Sequence, residues 1–244
     1  MIARRIREYL VRRCFVNDPI VIDSIKTDYA RFFRGLTARF GLALCDPGGE
    51  SGTPSVDIFT TNYDNVVEEY ARTIGVQICD GYEEIRRGNF RFDHAKFERS
   101  PDSLRLYKIH GTVTYARLAN GLIDRVTYVP PRGPLVMAGQ VAFPELIYPG
   151  SKPYLSAEPQ LELLFLFKRA LSNADVLLII GHSLRDPNIN EVLRQVSATN
   201  SKIRLFLVSP HAGSVIKSQL SAYGTRAIAI DKTFRSFEPS SDLT

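Results

Sequence analysis

The stretch Val176-Leu177-Leu178-Ile179-Ile180 limits what this chain can fold into more than any other. It is an unbroken, β-favouring apolar run bounded by Asp175 and Gly181, and it is too short for an ordinary helix. A strand with one wet face alternates apolar and polar residues. An unbroken run marks a strand covered on both sides, as in a parallel sheet flanked by helices. The run is therefore expected to be a central parallel strand. Its neighbours agree. Residues 158–173 are expected to be a helix, with Leu161, Leu164, Phe165, Phe167 and Leu171 mostly on one face. A polar loop over residues 181–190 feeds another helix through Val196. Residues 203–208 are the next strand, a helix lies around 214–223, and residues 226–230 are the last strand. Strands alternating with helices give βαβ units with right-handed crossovers. The expected fold class is α/β, a parallel sheet with flanking helices.

Upstream, Val56, Ile58 and Phe59 form another short apolar run, which empties into Thr60-Thr61-Asn62-Tyr63-Asp64. Residues 65–71 then read as a helix. In open α/β sheets the carboxyl end of a strand faces a crevice, and the start of the next helix offers N–H groups to an anion. Thr60, Thr61, Asn62 and Asp64 supply uncharged donors and acceptors plus one carboxylate. That set suits a polar, ribose-bearing ligand. It also suits a helix cap, with Asn62 or Asp64 accepting from the first turn. Both readings stand at this point.

The chain begins with helical patterns. Residues 3–13 read as a short basic helix. Asn17-Asp18-Pro19 is a helix start, and Ile22, Ile25, Tyr29, Phe32, Phe33, Leu36 and Phe40 recur at helical spacing up to Gly41. These aromatics fit a core rather than a stacking platform. Residues 46–54 are a loop by composition, dividing the helical front from the α/β body. Residues 76–82 fit a second short strand. Residues 83–103 are charged and aperiodic, so an excursion loop is expected there, with His94 on its surface. Residues 104–109 alternate as a strand does and end at His110-Gly111. Asn120-Gly121 sits between two strand-like stretches, a hairpin signal. The Pro- and Gly-rich residues 130–153 are expected to form a loop of the lid or substrate type. The tail over residues 236–244 is expected to be flexible.

At 244 residues the chain has the size of one α/β domain with a helical part appended. No apolar run is long enough to span a bilayer, and the basic start lacks the apolar core and cleavage site of a secretory signal. Cys14, Cys45 and Cys79 are scattered singly with no C-x-x-C pair. That pattern suits reduced thiols in a cytoplasm and argues against a zinc ribbon. The net charge of +5 permits contact with nucleic acid, but no groove-reading motif accompanies it. A phosphate-bearing small ligand would account for the surplus equally well.

Several strand ends are therefore polar: Thr60–Asp64, His110-Gly111, residues 181–190 and Ser209-Pro210. In one parallel sheet they would line one edge. His110 is then a candidate acid or base, since its ordinary pKa lies near working pH, although a lone His after a strand is more often structural. Gly181 would let a ligand approach the backbone, and Ser183 offers a hydroxyl.

Taken in order, Thr60-Thr61-Asn62-Tyr63-Asp64, then Lys108-Ile109-His110-Gly111, then Gly181-His182-Ser183-Leu184-Arg185-Asp186-Pro187-Asn188-Ile189 resemble the motifs of sirtuin-like domains, most closely the bacterial branch found in antiphage defence proteins. Asn62 and His110 are 48 positions apart (110 − 62), a spacing that fits the pattern. The resemblance covers roughly residues 56–230. It implies a Rossmann-like fold that binds NAD, with a helical N-terminal segment over residues 1–45, the NAD-binding domain over 55–235 and a tail over 236–244. It implies that His110 is catalytic and that Asn62 lies beside the nicotinamide ribose. Thr60, Thr61, Asp64, Gly181, His182, Ser183, Asp186 and Ser209 are the implied cofactor-binding positions, Ser209 toward the adenosine half.

Two departures from the family pattern carry weight. Sirtuin-like domains open with a strand and a Gly-Ala-Gly phosphate loop. Nothing in residues 1–55 matches it, so that unit is expected to be absent. Deacylating sirtuins carry Gln at the position of Thr61 and a Cys₄ zinc module. Neither is here, so no metal is expected. The resemblance implies an NAD glycohydrolase of the defence type, with NAD as substrate. A nucleotide-binding or inactive module acting with a partner is the alternative, and a protein deacylase the third reading. Expected partners are NAD and either a second copy of the chain or a defence-system protein. No membrane and no direct nucleic-acid contact are expected, and the expected location is cytoplasmic.

Overall fold

The computed structural model describes residues 9–41, 56–100, 103–130, 134–146 and 159–243. The chain divides into two units, Met1–Tyr29 with Ala43–Leu163 and Ala30–Leu42 with Leu164–Thr244. Residues 9–14 are helical, and the long helix α1 spans Pro19–Phe40. It starts where the sequence indicates. The Ile20 N–H donates to Asp18 Oδ1 at 2.9 Å, and Pro19 occupies the first turn without a donor to satisfy. Gly41, at φ +65°, ends it in the left-handed region. The loop expected over residues 46–54 lies outside the described residues, as does the first part of the basic helix.

The first unit continues with β1 (Asp57–Thr60), α2 (Val66–Thr73), β2 (Ile78–Cys79), β3 (Tyr82–Arg86), β4 (Asn89–Phe92), α3 (Lys96–Arg99), β5 (Leu104–Lys108), β6 (Gly111–Leu118), β7 (Ile123–Arg125), β8 (Val136–Met137) and β9 (Gln140–Leu146). Helix α4 (Gln160–Asn173) contains the boundary between Leu163 and Leu164. The second unit then holds β10 (Val176–Ile180), α5 (Pro187–Thr199), β11 (Arg204–Val208), α6 (Ala212–Gln219), a 3₁₀ segment (Ser221–Arg226), β12 (Ala227–Ile230), another 3₁₀ turn (Phe234–Ser236) and α7 (Pro239–Asp242).

In the first unit β1, β5 and β2 form a parallel sheet with β5 in the middle. The central position explains the burial of β5: Leu104 and Leu106 are fully covered, packed with Val67, Tyr29, Ile58, Val76 and Ile78. A second, antiparallel sheet runs in the order β3-β4-β7-β6-β9-β8. The Asn120-Gly121 turn joins β6 to β7 as expected, with Ala116 opposite Asp124.

Two expected loops are corrected by this sheet. Residues 83–103 contain β3, β4 and α3 rather than an excursion loop. Gly88 turns the hairpin at φ +71°, and Glu83 stands opposite Arg91, so opposite charges pair across the strands. The described part of residues 130–153 holds the β8–β9 hairpin, turned by Ala138 and Gly139, both at positive φ.

In the second unit β10, β11 and β12 are all parallel, with β11 in the middle. This corrects the expectation for the apolar run. Strand β10 is half-buried along its length and pairs with β11 alone among the described residues, while Leu205 to Val208 of β11 are buried. The unbroken run marks a β-favouring apolar strand and does not report how many strands flank it. Asn200 closes α5 by donating to the carbonyls of Leu171 and Ala174 at 2.9 and 2.8 Å.

The expected flexible tail is packed. Phe237 and Leu243 are fully buried, and Phe237 and Phe234 lie against Phe32 of α1. Arg31 donates to the carbonyls of Phe237 and Phe234, and Arg39 to that of Leu243. Among the described residues no helix is long and apolar enough to cross a membrane.

Asp242 ties this C-terminal turn down. Its oxygens take the Lys232 ammonium at 2.7 and 2.8 Å and the Glu238 N–H at 2.9 Å. Burial pushes its pKa up, but the hydrogen bonds and charge of Lys232 with the Glu238 N–H outweigh this and hold it below the usual carboxylate value. A depressed folded-state pKa contributes stability that is complete above the ordinary carboxyl range and is lost as pH falls through the folded value. Asp242→Asn should therefore lower stability in urea by about 1–2 kcal/mol at neutral pH, and the gap between variant and native chain should close on acidification.

Candidate functional site

The carboxyl end of β1 and that of β5 lie side by side because the two strands are parallel neighbours. Their register pairs Phe59 with Tyr107 and Thr60 with Lys108. The pairing continues one step beyond the strands, where the Ile109 N–H donates to the Thr60 carbonyl at 3.0 Å. The Thr60–Asp64 turn and His110 therefore emerge from the same sheet edge. The Val113 N–H then donates to the Tyr63 carbonyl at 3.0 Å, holding the turn a second time. Between these points the Asn62 N–H donates to Thr60 Oγ1 at 3.0 Å, and Asn62 itself is exposed. Gly111, at φ +90° and buried, lets the chain turn from His110 directly into β6.

The Asp64 carboxylate has a local duty through one of its oxygens. Its Oδ1 accepts from the Val66 N–H at 3.1 Å, so it closes the turn into α2. Asn62 makes no such bond. The residue at the cap position is Asn65, and its side chain does not cap either. It is 2% exposed and grips Val16 on both sides, accepting from the Val16 N–H at 2.6 Å and donating to its carbonyl at 3.0 Å. This two-way grip fastens the segment between the first helical stretch and α1.

Beneath the turn lies a buried ion pair. Lys108 Nζ stands 3.1 Å from Glu68 Oε1, with the two side chains 6% and 12% exposed. The same ammonium donates to the main-chain carbonyl of Asp64. Glu68 Oε2 is buried without a hydrogen-bond partner. Burial pushes the Glu68 carboxyl pKa up, against the pull of Lys108. The neighbours feel the same surroundings: burial and then the charges of Asp64 and Glu68 raise the Tyr29 phenol. Burial and Asp64 raise the Cys14 thiol, with Lys108 opposing. The sequence does not mark Glu68 or Asn65, and Lys108 enters there only as part of the Lys108-Ile109-His110-Gly111 motif. A lysine inside the strand pattern Leu106-Tyr107-Lys108-Ile109 is the one local sign of a buried charge.

In the second unit the ends of β10 and β11 are also neighbours. The Gly181 N–H donates to the Val208 carbonyl at 3.0 Å, and the Ser209 N–H to that of Ile230 at 3.2 Å. Gly181 is at φ +64° with open space where a Cβ would stand. Ser183 is exposed, and Ser209 Oγ accepts from the His211 N–H at 3.3 Å. Two residues of this loop have local structural duties. His182 Nδ1 accepts from the Leu184 N–H at 3.0 Å, which supports Leu184 at its left-handed φ of +51°. Asp186 caps α5, taking the N–H groups of Asn188 at 2.8 Å and Ile189 at 3.3 Å, with Pro187 in the first turn.

The first unit thus brings together Thr60, Thr61, Asn62, Asp64 and His110 at one sheet edge, and the second brings together Gly181, His182, Ser183, Asp186 and Ser209 at another. Among the described residues no three His, Cys, Asp or Glu side chains cluster as a metal site would require.

The family model for the SIR2-like domain matches residues 56–228. No curated protein matches the chain. Among solved structures, the chain is similar to a mutant Sir2 homologue in complex with ADP-ribose, at 13% identity and a TM-score of 0.50, over 98% of this chain and 70% of that one. It is also similar to a triple mutant of a Sir2 homologue in complex with 2'-O-acetyl ADP-ribose, at 12% identity and a TM-score of 0.53, over 96% and 70% of the two chains. At such identities the likeness is one of fold.

The capping duty of Asp186 has a direct consequence. Asp186→Ala should cost about 1 kcal/mol in urea unfolding, and Asp186→Ser, which can still cap, should restore most of it. Equal losses in both variants would show that the carboxylate matters for something other than the cap.

Proposed function

The chain belongs to the SIR2-like domain family, and from that premise we propose that it is an NAD glycohydrolase that cleaves NAD to nicotinamide and ADP-ribose. The observation that carries this reading is the parallel pairing of β1 with β5, which sets the exposed Asn62 turn beside His110. In the proposed reaction the bond between nicotinamide and the ribose C1′ breaks first, through an oxocarbenium-like state. Nicotinamide leaves with the bonding electrons and becomes neutral. Water adds to C1′, and its proton passes to His110 acting as general base, directly or through a ribose hydroxyl. Asn62 holds the ribose or the attacking water with its amide. The Thr60 and Thr61 hydroxyls offer neutral polar contacts, and Asp64 adds negative charge near the developing cation. In the second unit Gly181, His182, Ser183, Asp186 and Ser209 are proposed nucleotide-contacting positions by the same family pattern, with Gly181 and Ser183 the most accessible.

The biological role that goes with this chemistry is depletion of NAD in an infected cell, as in the antiphage branch that the motifs resemble. Deacylation fits less well, because Thr61 stands where deacylating sirtuins carry Gln.

The test is nicotinamide release from NAD by the purified chain. The native chain should release it, and His110→Ala should slow release by roughly 10²-fold or more, the usual contribution of a general base. Asn62→Ala should be similarly impaired, with both variants folded as judged by circular dichroism. Folded native protein that binds NAD without releasing nicotinamide would replace the enzyme with a nucleotide-binding module. Absence of both binding and release would remove the NAD reading altogether.

A further inference from the structure

Three fastenings tie the Thr60–Asp64 turn to the stretch from β5 into β6, and one of them is unusual. At its start Thr60 is held by main-chain pairing to β5, and at Tyr63 by the Val113 N–H. At its end the Asp64 carbonyl is held by a side chain, the buried ammonium of Lys108. The same ammonium meets Glu68 in the first turn of α2. Lys108 therefore links the end of β5 to the end of the turn and to the helix that follows. Thr61-Asn62 is the apex between these fastenings, with the Asn62 N–H on Thr60 Oγ1.

A buried ion pair is a poor device for stability alone, because both charges lose water and well-packed apolar residues of similar size often serve as well or better. Glu68 Oε2, buried and unpartnered, shows that this pair is not fully satisfied. What an apolar pair could not do is hold the Asp64 carbonyl. We propose that Lys108 is a positioning residue that sets the place of Asn62 by anchoring the turn through the main-chain oxygen of Asp64. The inference rests on the reading of Asn62 as a group that contacts the substrate. Displacement of such a group by about 1 Å is enough to cost roughly 10²-fold in rate.

Lys108→Met alone strands the Glu68 carboxylate in the interior and can simply unfold the chain. The informative variant is Lys108→Met/Glu68→Leu, which removes both charges and keeps the volume filled. Its thermal midpoint should match or exceed that of the native chain. Its kcat for nicotinamide release should fall by about 10²-fold with KM changed much less, and amide hydrogen exchange over residues 61–65 should quicken while β5 stays protected. Lys108→Arg, which keeps a donor at this place, should recover part of kcat. A double variant with native kcat and native exchange over residues 61–65 would overturn the proposal and leave Lys108 as one half of a structural pair. The exchange measurement does not depend on turnover. If the native chain releases no nicotinamide, quickened exchange in the double variant still establishes the anchoring, and unchanged exchange refutes it.

Discussion

The register of β1 against β5 is the constraint on which the rest of the proposed chemistry depends. Pairing Thr60 with Lys108 in a parallel sheet brings two motifs separated by dozens of residues to one edge at one level. A slip by one residue would exchange the two faces of β1. It would also take the Asp64 carbonyl away from the Lys108 ammonium. The burial of Leu104 and Leu106 against Val67 and Ile58 holds this register from below. The polar groups above are placed by an apolar core that does no chemistry. Asn65 adds a second hold, fastening the chain at Val16 to the start of α2.

The turn itself divides its labour residue by residue. Asp64 closes it, Tyr63 is held by its carbonyl, and Asn62 is left outward. That division is how a loop made of common turn-forming residues becomes a defined surface. The second unit repeats the logic with different parts. His182 and Asp186 are occupied in shaping their loop, which leaves Gly181 and Ser183 accessible. Residues from one motif thus serve in two ways, some supporting the backbone and others presenting groups to solvent.

Much of this was legible in the sequence. The helix start at Asn17-Asp18-Pro19, its stop at Gly41, the hairpin at Asn120-Gly121 and all three parallel strands of the second unit follow from local chemistry. Local chemistry also located the two polar strand ends at Thr60–Asp64 and His110-Gly111. What escaped it was of two kinds. The β3–β4 hairpin is hidden because Glu83, Glu84, Arg86 and Arg91 mask its alternation, and the turn before β9 uses Ala138, a residue that seldom adopts positive φ. The pairs Lys108–Glu68 and Asn65–Val16 are hidden for a different reason: each joins positions about 40 to 50 residues apart, and no periodicity reports a partner at that range. The pairing of β10 with β11 alone among the described residues belongs with these, since an apolar run does not report how many strands flank it.

In the proposed reaction the edge shared by the Thr60–Asp64 turn and His110 receives the nicotinamide riboside end of NAD. Hydrogen exchange of the native chain with and without saturating NAD tests it most directly. Slower exchange is expected over residues 60–66 and 109–113 when NAD is present, with the rest of the six-stranded antiparallel sheet unchanged. Exchange that is identical at both segments while NAD is demonstrably bound would place the ligand elsewhere and contradict the claim.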